Sequence, residues 1–263
     1  MNLILIKPME LRPDRTVMLD NRRSLHLIDT LGVRCGTRLK VGLVNGPKGV
    51  GTVLDIKNGK VTLAIEELET GPDEPPFDLV LALPRPIMLK RIFFHASSLG
   101  IARIFLIRSQ RVEKSYFQAS LLSPQEYLPV LELGLEQSAD TWMPSVSIFQ
   151  RFLPFAEDFL VAYDKASMRL LADPDAPHSL PEIVNFHSPP RVLLAVGPEG
   201  GWVDYELEVL KRAGFTPFSL GKRILRVETA IPVIIGQLQL LREFSRYPAP
   251  TPLGDISKDS RMI

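Results

Sequence analysis

Two glycine-containing turns hold the residues of this chain best suited to chemistry. The first is Gly197-Pro198-Glu199-Gly200-Gly201. The second, Leu220-Gly221-Lys222-Arg223-Ile224-Leu225-Arg226, runs into Glu228, Thr229 and Ala230. Exposed backbone amides beside a few fixed cations can hold a polar ligand and stabilise negative charge that develops on it. Arg226 is the first candidate for that electrostatic role and Arg223 the second. Glu228 either orients an arginine or accepts a proton, and spacing alone leaves both open. An ordinary ion pair between Arg226 and Glu228 at a helix start is a plainer reading of the same residues.

The flanking residues show how these turns are positioned. Residues 192–196 are an uncharged apolar run, as in a strand buried on both faces of a parallel sheet. Gly197 is expected to leave that strand at positive φ, Pro198 to stiffen the turn, and Gly200 and Gly201 to let a ligand reach the backbone. Asp204 reads as the N-cap of a helix with Leu207, Leu210 and Ala213 on one face and Gly214 at its end. Residues 215–220 form a second short strand. After it, Ile231, Val233, Ile234, Ile235, Leu238, Leu240 and Leu241 make a helix apolar nearly all round, which must be covered by the core, by a second copy, or by both. Pro232 is tolerated only in that helix's first turn. Ligands of open parallel sheets bind beyond the carboxyl ends of the strands, so two such crossings side by side predict a crevice. The first turn is neither GxGxxG nor a P-loop, because no Lys-Ser or Lys-Thr pair follows the glycines.

Composition narrows the function classes. A chain of 263 residues with 45% hydrophobic content holds one large or two modest globular domains. The lone Cys35 forms no intramolecular disulfide and suits a reducing compartment. The apolar start, residues 3–6, is too short for a signal-peptide core, and no run approaches the roughly 18 apolar residues of a membrane span. The expectation is a cytoplasmic protein. His26, His95, His178 and His187 show no metal-ligand spacing, so no metal is expected. No Gly-x-Ser-x-Gly elbow supports a hydrolase. The net charge of +1 hides an uneven distribution: residues 1–60 carry eleven Lys or Arg against five acids, and residues 61–80 six acids and no base. Arg12, Arg15, Arg22, Arg23, Arg34 and Arg38 are therefore candidate phosphate contacts, with a merely solvated surface equally open.

Up to about residue 68, short β-rich runs (3–6, 16–19, 38–44, 51–56, 61–65) alternate with turns at Asn45-Gly46 and Asn58-Gly59, which describes a small β-barrel over 1–70. Residues 69–77, rich in acids and prolines, form a linker. From 78 to 246 strands alternate with helices: strands at 79–83, 101–107, 146–148, 159–163, 192–196 and 216–220, and helices at 87–99 and from Ser123 to about 137. Ser123-Pro124-Gln125-Glu126 opens the latter as a capping box. This is an α/β domain with a mostly parallel sheet. Residues 247–263 read as a loose tail.

The succession GPEGGW, then LGKRILRVETA, resembles the RsmE family, the methyltransferases of N3 of a uridine in bacterial 16S ribosomal RNA, within the SPOUT class of α/β-knot enzymes. The likeness is nearly continuous over 192–237. Weaker echoes follow in the family's order at Leu81-Ala82-Leu83-Pro84, Ser98-Leu99-Gly100-Ile101, Glu136-Gln137-Ser138 and His26-Leu27. The resemblance implies a deep C-terminal trefoil knot, a PUA-like barrel before it, S-adenosylmethionine as cofactor, a homodimer and ribosomal RNA as partner. It implies that Leu194, Val196, Gly197, Pro198, Glu199, Gly200, Gly201, Leu220, Gly221, Ile224, Leu225, Thr229 and Ala230 hold the cofactor, much of it through main chain. It puts the short helix of the barrel at 23–31 and His26 at a position the family also uses; with the basic Arg12, Arg22, Arg23, Arg34 and Arg85, His26 completes the candidate RNA contacts. Two departures stand out: Asp140 where the family usually has an arginine, and Ser98 where it tends to have a glutamate. They keep two alternatives open, a paralogue acting on another RNA and a non-catalytic RNA-binding or assembly protein with the same fold.

Overall fold

The computed structural model describes residues 2–69, 71–184 and 190–244; the expected tail at 247–263 and His187 lie outside them. The first of two sheets contains β1 (Ile4–Ile6), β2 (Thr16–Met18), β3 (Arg38–Leu43), β4 (Lys48–Lys57) and β5 (Lys60–Leu68), in the order β1-β3-β4-β5-β2. The β4–β5 turn is Asn58-Gly59, with φ of 50° and 72°, the primed geometry that an Asn-Gly hairpin supplies at least cost. Alternate residues Val53, Val61, Leu63 and Ile65 point into a core shared with Ile4, Ile6, Val17 and Leu27. α1 (Asn21–Leu25), capped by the Asp20 side chain on the Arg23 N–H, continues as a π turn through His26–Thr30.

The second sheet is parallel at every pairing, with β6 (Phe77–Ala82), β7 (Ile101–Ile107), β8 (Ser145–Phe149), β9 (Met168–Ala172), β10 (Val192–Val196) and β11 (Thr216–Phe218) in the order β11-β9-β10-β6-β7-β8. Every residue of β6 and β10 is buried, which matches the all-apolar sequence of β10 and that of β6 apart from Asp78. α2 (Pro86–Ser98) packs on α3 (Pro124–Ser138) at Gly134, where a Cβ would lie 2.0 Å from the Ser97 hydroxyl and 2.5 Å from the Phe94 carbonyl. α4 (Phe152–Pro154), a π turn (Phe155–Phe159) and α5 (Leu160–Ala162) form one irregular helical run, followed by α6 (Leu180–Ile183), α7 (Asp204–Arg212) and α8 (Val227–Phe244).

Some expectations fail for identifiable reasons. Residues 159–163, read as a strand from Phe, Leu, Val and Tyr, are helical through Ala162. The ring of Phe159 stacks on Phe155 one turn earlier, with centroids 5.4 Å apart, so packing overrides propensity. The strand is instead β9, whose Met, Arg and Leu favour helices. There the Arg169 guanidinium reaches the carbonyls of Ala213 (2.6 Å) and Leu160 (3.0 Å), which makes a charged residue tolerable inside a sheet. Ser123 does open α3, but its side chain makes no cap hydrogen bond, so the expected capping box is not closed. α7 begins one residue earlier than read: Val203 is its N-cap position, and Asp204 is its first helical residue.

The barrel meets the α/β sheet through charge and main chain. Arg22 forks onto Glu136, with Nη1 and Nη2 at 2.8 and 3.0 Å from its two oxygens, and Lys7 pairs with Glu132 at 2.7 Å. The Thr141 hydroxyl donates to the Gly46 carbonyl at 2.7 Å, and the Met143 N–H to Asn45 Oδ1 at 2.8 Å. Both family departures lie in structural positions. Asp140 Oδ1 accepts from the Thr141 N–H at 2.6 Å and faces Lys48 at 3.6 Å. The Ser98 hydroxyl donates to Phe94 and Gly134 carbonyls across the α2–α3 contact.

Candidate active site

The two glycine turns converge, but not as neighbours. β9 lies between β10 and β11, so the crevice opens at the carboxyl ends of three strands and its floor is Ala172, Asp173 and Pro174. The cavity has a volume of about 260 Å³. Val196, Gly197, Pro198, Glu199 and Gly201 wall one side. Leu220, Gly221, Arg223, Ile224, Leu225 and Arg226 wall the other, with Ala230 and Ile234 of α8 behind them.

The first turn is held rigidly. Gly197 does not have the expected positive φ; it is required because a Cβ there would lie 2.9 Å from the Trp202 indole nitrogen. Left-handed backbone occurs instead at Gly201 (φ 74°) and, in the second turn, at Gly221 (φ 97°). Glu206, 2% exposed, accepts the Gln110 N–H at 2.7 Å and the Val203 N–H at 3.2 Å, which satisfies the buried carboxylate and fixes the entry into α7. From the opposite side the Arg111 guanidinium bonds the carbonyls of Gly200 and Trp202.

The second turn is held at its ends. The Arg226 carbonyl accepts the N–H groups of Thr229 (2.9 Å) and Ala230 (2.8 Å), so the backbone of Arg226 closes the first turn of α8. Its exposed side chain is left without an ion pair among the described residues, as is that of Arg223. The Arg226–Glu228 pair considered from sequence is not formed; Glu228 is half-buried and does not line the cavity. Thr229 and Gly200 also lie off the cavity wall, and Leu194 is fully buried within β10, so a ligand in the cavity does not touch it.

The RNA candidates divide sharply. Arg23 is a correction: it is 3% exposed, bonded to Glu10 at 3.0 Å and to the Leu5 carbonyl at 2.6 Å, and paired with Asp20 at 3.1 Å, so no donor face is left for a phosphate. Its charge offsets the effect of burial on Glu10, whose carboxyl stays below its ordinary range. Arg22 is committed to Glu136, and Arg38 to Glu66 at 3.0 Å. Arg12 and Arg34 are exposed, with no side-chain partner among the described residues. His26 is half-buried, its Nε2 without a partner. Arg85 does not line the cavity; its bond to the Tyr116 hydroxyl (3.2 Å) and the charge of Glu199, which does, favour its protonated form.

Sequence reading missed Asp173, Trp202 and Ile234 of the cavity, as well as the Arg111 and Glu206 clamps. The Leu-Leu-Ala run before Asp173-Pro174 was the available signal, an apolar strand end followed by a turn. A nucleoside fits these residues. The walls are largely apolar (Val196, Phe218, Leu220, Leu225), main chain is exposed at both turns, and the Trp202 Nε1 is buried without a hydrogen-bond partner. Asp173 Oδ1 accepts the Asp175 N–H at 3.2 Å, and Oδ2 has no protein partner among the described residues.

Comparison with known proteins agrees with this geometry. Residues 72–239 match the family model described as RNA methyltransferase domain. The chain is 29% identical over 234 residues to the ribosomal RNA small subunit methyltransferase E of Treponema pallidum, covering 88% of this chain and 87% of that one. It is 23% identical to ribosomal RNA small subunit methyltransferase E 1 of Borreliella burgdorferi, covering 88% and 94%. The structure of the Neisseria gonorrhoeae enzyme of the same name, bound to S-adenosyl methionine, superposes with a TM-score of 0.74 at 22% identity, over 92% of this chain and 98% of that one. That likeness shows the fold, a curled sheet of mixed strands before an α/β domain with an all-parallel sheet. With its matching domain spanning both glycine turns and both sheets superposable, the chain belongs to the RNA methyltransferase family, in its RsmE branch.

Proposed function

We propose that the crevice binds S-adenosylmethionine and that the protein methylates N3 of a uridine in 16S ribosomal RNA, acting in the cytoplasm. The observation that carries this reading is the meeting of three strand-end turns around one cavity that is lined by Trp202, its indole N–H buried without a partner, and by Arg226, without an ion pair among the described residues. The main chain of the two turns holds the adenosine, Trp202 Nε1 donates to it, and the free oxygen of Asp173 accepts from a ribose hydroxyl. When bound, the cofactor supplies a methyl carbon made electrophilic by its sulfonium.

The residues around the cavity supply the rest. Uracil N3 must lose its proton to become a competent nucleophile, and the negative charge then spreads to the ring carbonyls. Arg226, free to turn toward them, stabilises that charge, with Arg223 in support. Of the two carboxylates lining the cavity, Glu199 stands at the exposed rim and is placed to accept the N3 proton, a role Glu228 does not reach in this arrangement. The N3 lone pair forms the new bond to carbon as the carbon–sulfur bond breaks, and the electron pair stays on sulfur. Arg12, Arg34 and Arg85 are the candidate phosphate contacts. A homodimer would cover α8, whose Val233, Leu240 and Phe244 are 37%, 53% and 64% exposed.

Incubation with small-subunit RNA and cofactor, followed by nucleoside mass spectrometry, tests the reading. N3-methyluridine is the expected product. Methylation at another atom would remove the N3 assignment, and no methylation of naked RNA or of assembled subunits would remove the enzyme.

A further inference from the structure

A second and wider cleft, of about 530 Å³, opens beyond the carboxyl ends of β7 and β8. Two arginines line it, Arg108 and Arg151, and neither has an ion pair or a side-chain hydrogen bond among the described residues. Ser109 also lines it. That residue is 2% exposed, and its hydroxyl is buried without a partner, an arrangement that ordinary packing avoids. The acid present, Glu206, has both oxygens taken by the N–H groups of Gln110 and Val203. The cleft is therefore cationic, with an unsatisfied hydroxyl, and its other wall carries the ring of Tyr205, 53% exposed.

We propose that this cleft seats single-stranded RNA next to the target nucleotide: Arg108, Arg151 and Ser109 take one phosphate, and Tyr205 stacks on the adjoining base. Guanidinium forks and a hydroxyl match phosphate oxygens. An exposed ring beside such cations is the general platform for an unpaired base. Residues 108–111 link the cleft to the first glycine turn, because the Gln110 N–H is tied to Glu206 and the Arg111 guanidinium to the carbonyls of Gly200 and Trp202. A strand held in the cleft thus runs alongside the first glycine turn, toward the cofactor crevice. The inference rests on the methyltransferase reading above.

The test uses the full chain and a fluorescein-labelled 16S ribosomal RNA fragment, with anisotropy titrations across a salt series and calorimetry of S-adenosylmethionine on the same samples. In the double variant Arg108→Ala/Arg151→Ala, RNA binding is expected to weaken about tenfold, and the log–log salt slope to shrink by roughly 0.7, the contribution of one single-strand phosphate. Tyr205→Ala is expected to weaken binding about fivefold or more with the slope unchanged. Cofactor affinity stays at the wild-type value in both, which shows the fold intact. Variants that bind cofactor and RNA as the wild type does would overturn the cleft assignment. So would variants whose only change is a shift in oligomeric state, which would mark the cleft as a protein contact. A wild type that binds cofactor but neither binds nor methylates RNA would fail the methyltransferase reading itself.

Discussion

Arg23 in the barrel and Arg226 at the crevice are the same residue type at a helix start, and they end in opposite states. Arg23 is 3% exposed and held by Glu10, Asp20 and a carbonyl, whereas Arg226 is exposed, with no carboxylate in reach among the described residues. The contrast recurs across the molecule. Arg22, Arg38, Arg103 and Arg191 are all paired and hold elements together; Arg223, Arg108 and Arg151 have no ion pair among the described residues and border cavities. An ion pair spends a cation's field on its partner, while an unpartnered cation on a rigid backbone keeps that field for a ligand. Charge counting in the first sixty residues cannot see this difference.

If the contrast holds, substitutions in the two classes have separable effects. The largest is expected at Asp78, 0% exposed, which binds Arg103 and Arg191 at 3.1 Å and accepts the Tyr163 hydroxyl. Asp78→Ala leaves two guanidinium groups at a buried joint with Glu74 alone. Chemical denaturation should show a loss of about 3–5 kcal/mol, with the specific activity of the folded fraction little changed. Arg226→Ala should do the reverse. Steady-state kinetics should show kcat reduced by about 10²–10³, as for removal of one oxyanion-stabilising donor, with melting temperature and cofactor affinity near wild type. A variant of Arg226 that unfolds the protein, or one of Asp78 that only slows it, would break the comparison.

Smaller effects sharpen it. Gly197→Ala forces the new methyl against the Trp202 indole, and calorimetry should show cofactor affinity weakened by about tenfold, equivalent to ~1.4 kcal/mol. Finally, Glu10 and Asp20 are both held below their ordinary pKa in the folded protein. Burial raises each, but hydrogen bonds and the charge of Arg23 outweigh it. A depressed folded pKa contributes stability that is complete above the unfolded value and is lost as pH falls through the folded one. The barrel should therefore lose stability as pH drops below about 4, and Arg23→Ala should flatten that loss in acid titrations monitored by circular dichroism.

Much of this was legible in the sequence where local pattern and tertiary setting agree. The all-apolar 192–196, the Asn58-Gly59 hairpin and the Ile101–Ile107 strand appear where their residues placed them. Legibility failed where packing decides. Met168–Ala172 became a central strand because Arg169 found carbonyls to bond, and 159–163 coiled because Phe159 could stack on Phe155. That exchange hid Asp173, so the crevice was read as two turns when it is built from three. Partner choice was equally hidden: Arg23 and Arg12 are indistinguishable by type, and only their placement separates a strut from a free cation.

Titration of the purified protein with S-adenosylmethionine by isothermal calorimetry tests the central claim most directly. Saturable binding at one site per chain, weakened in Gly197→Ala and retained in Arg226→Ala, is the predicted result. No heat of binding to the wild-type protein, or binding indifferent to Gly197, would contradict it.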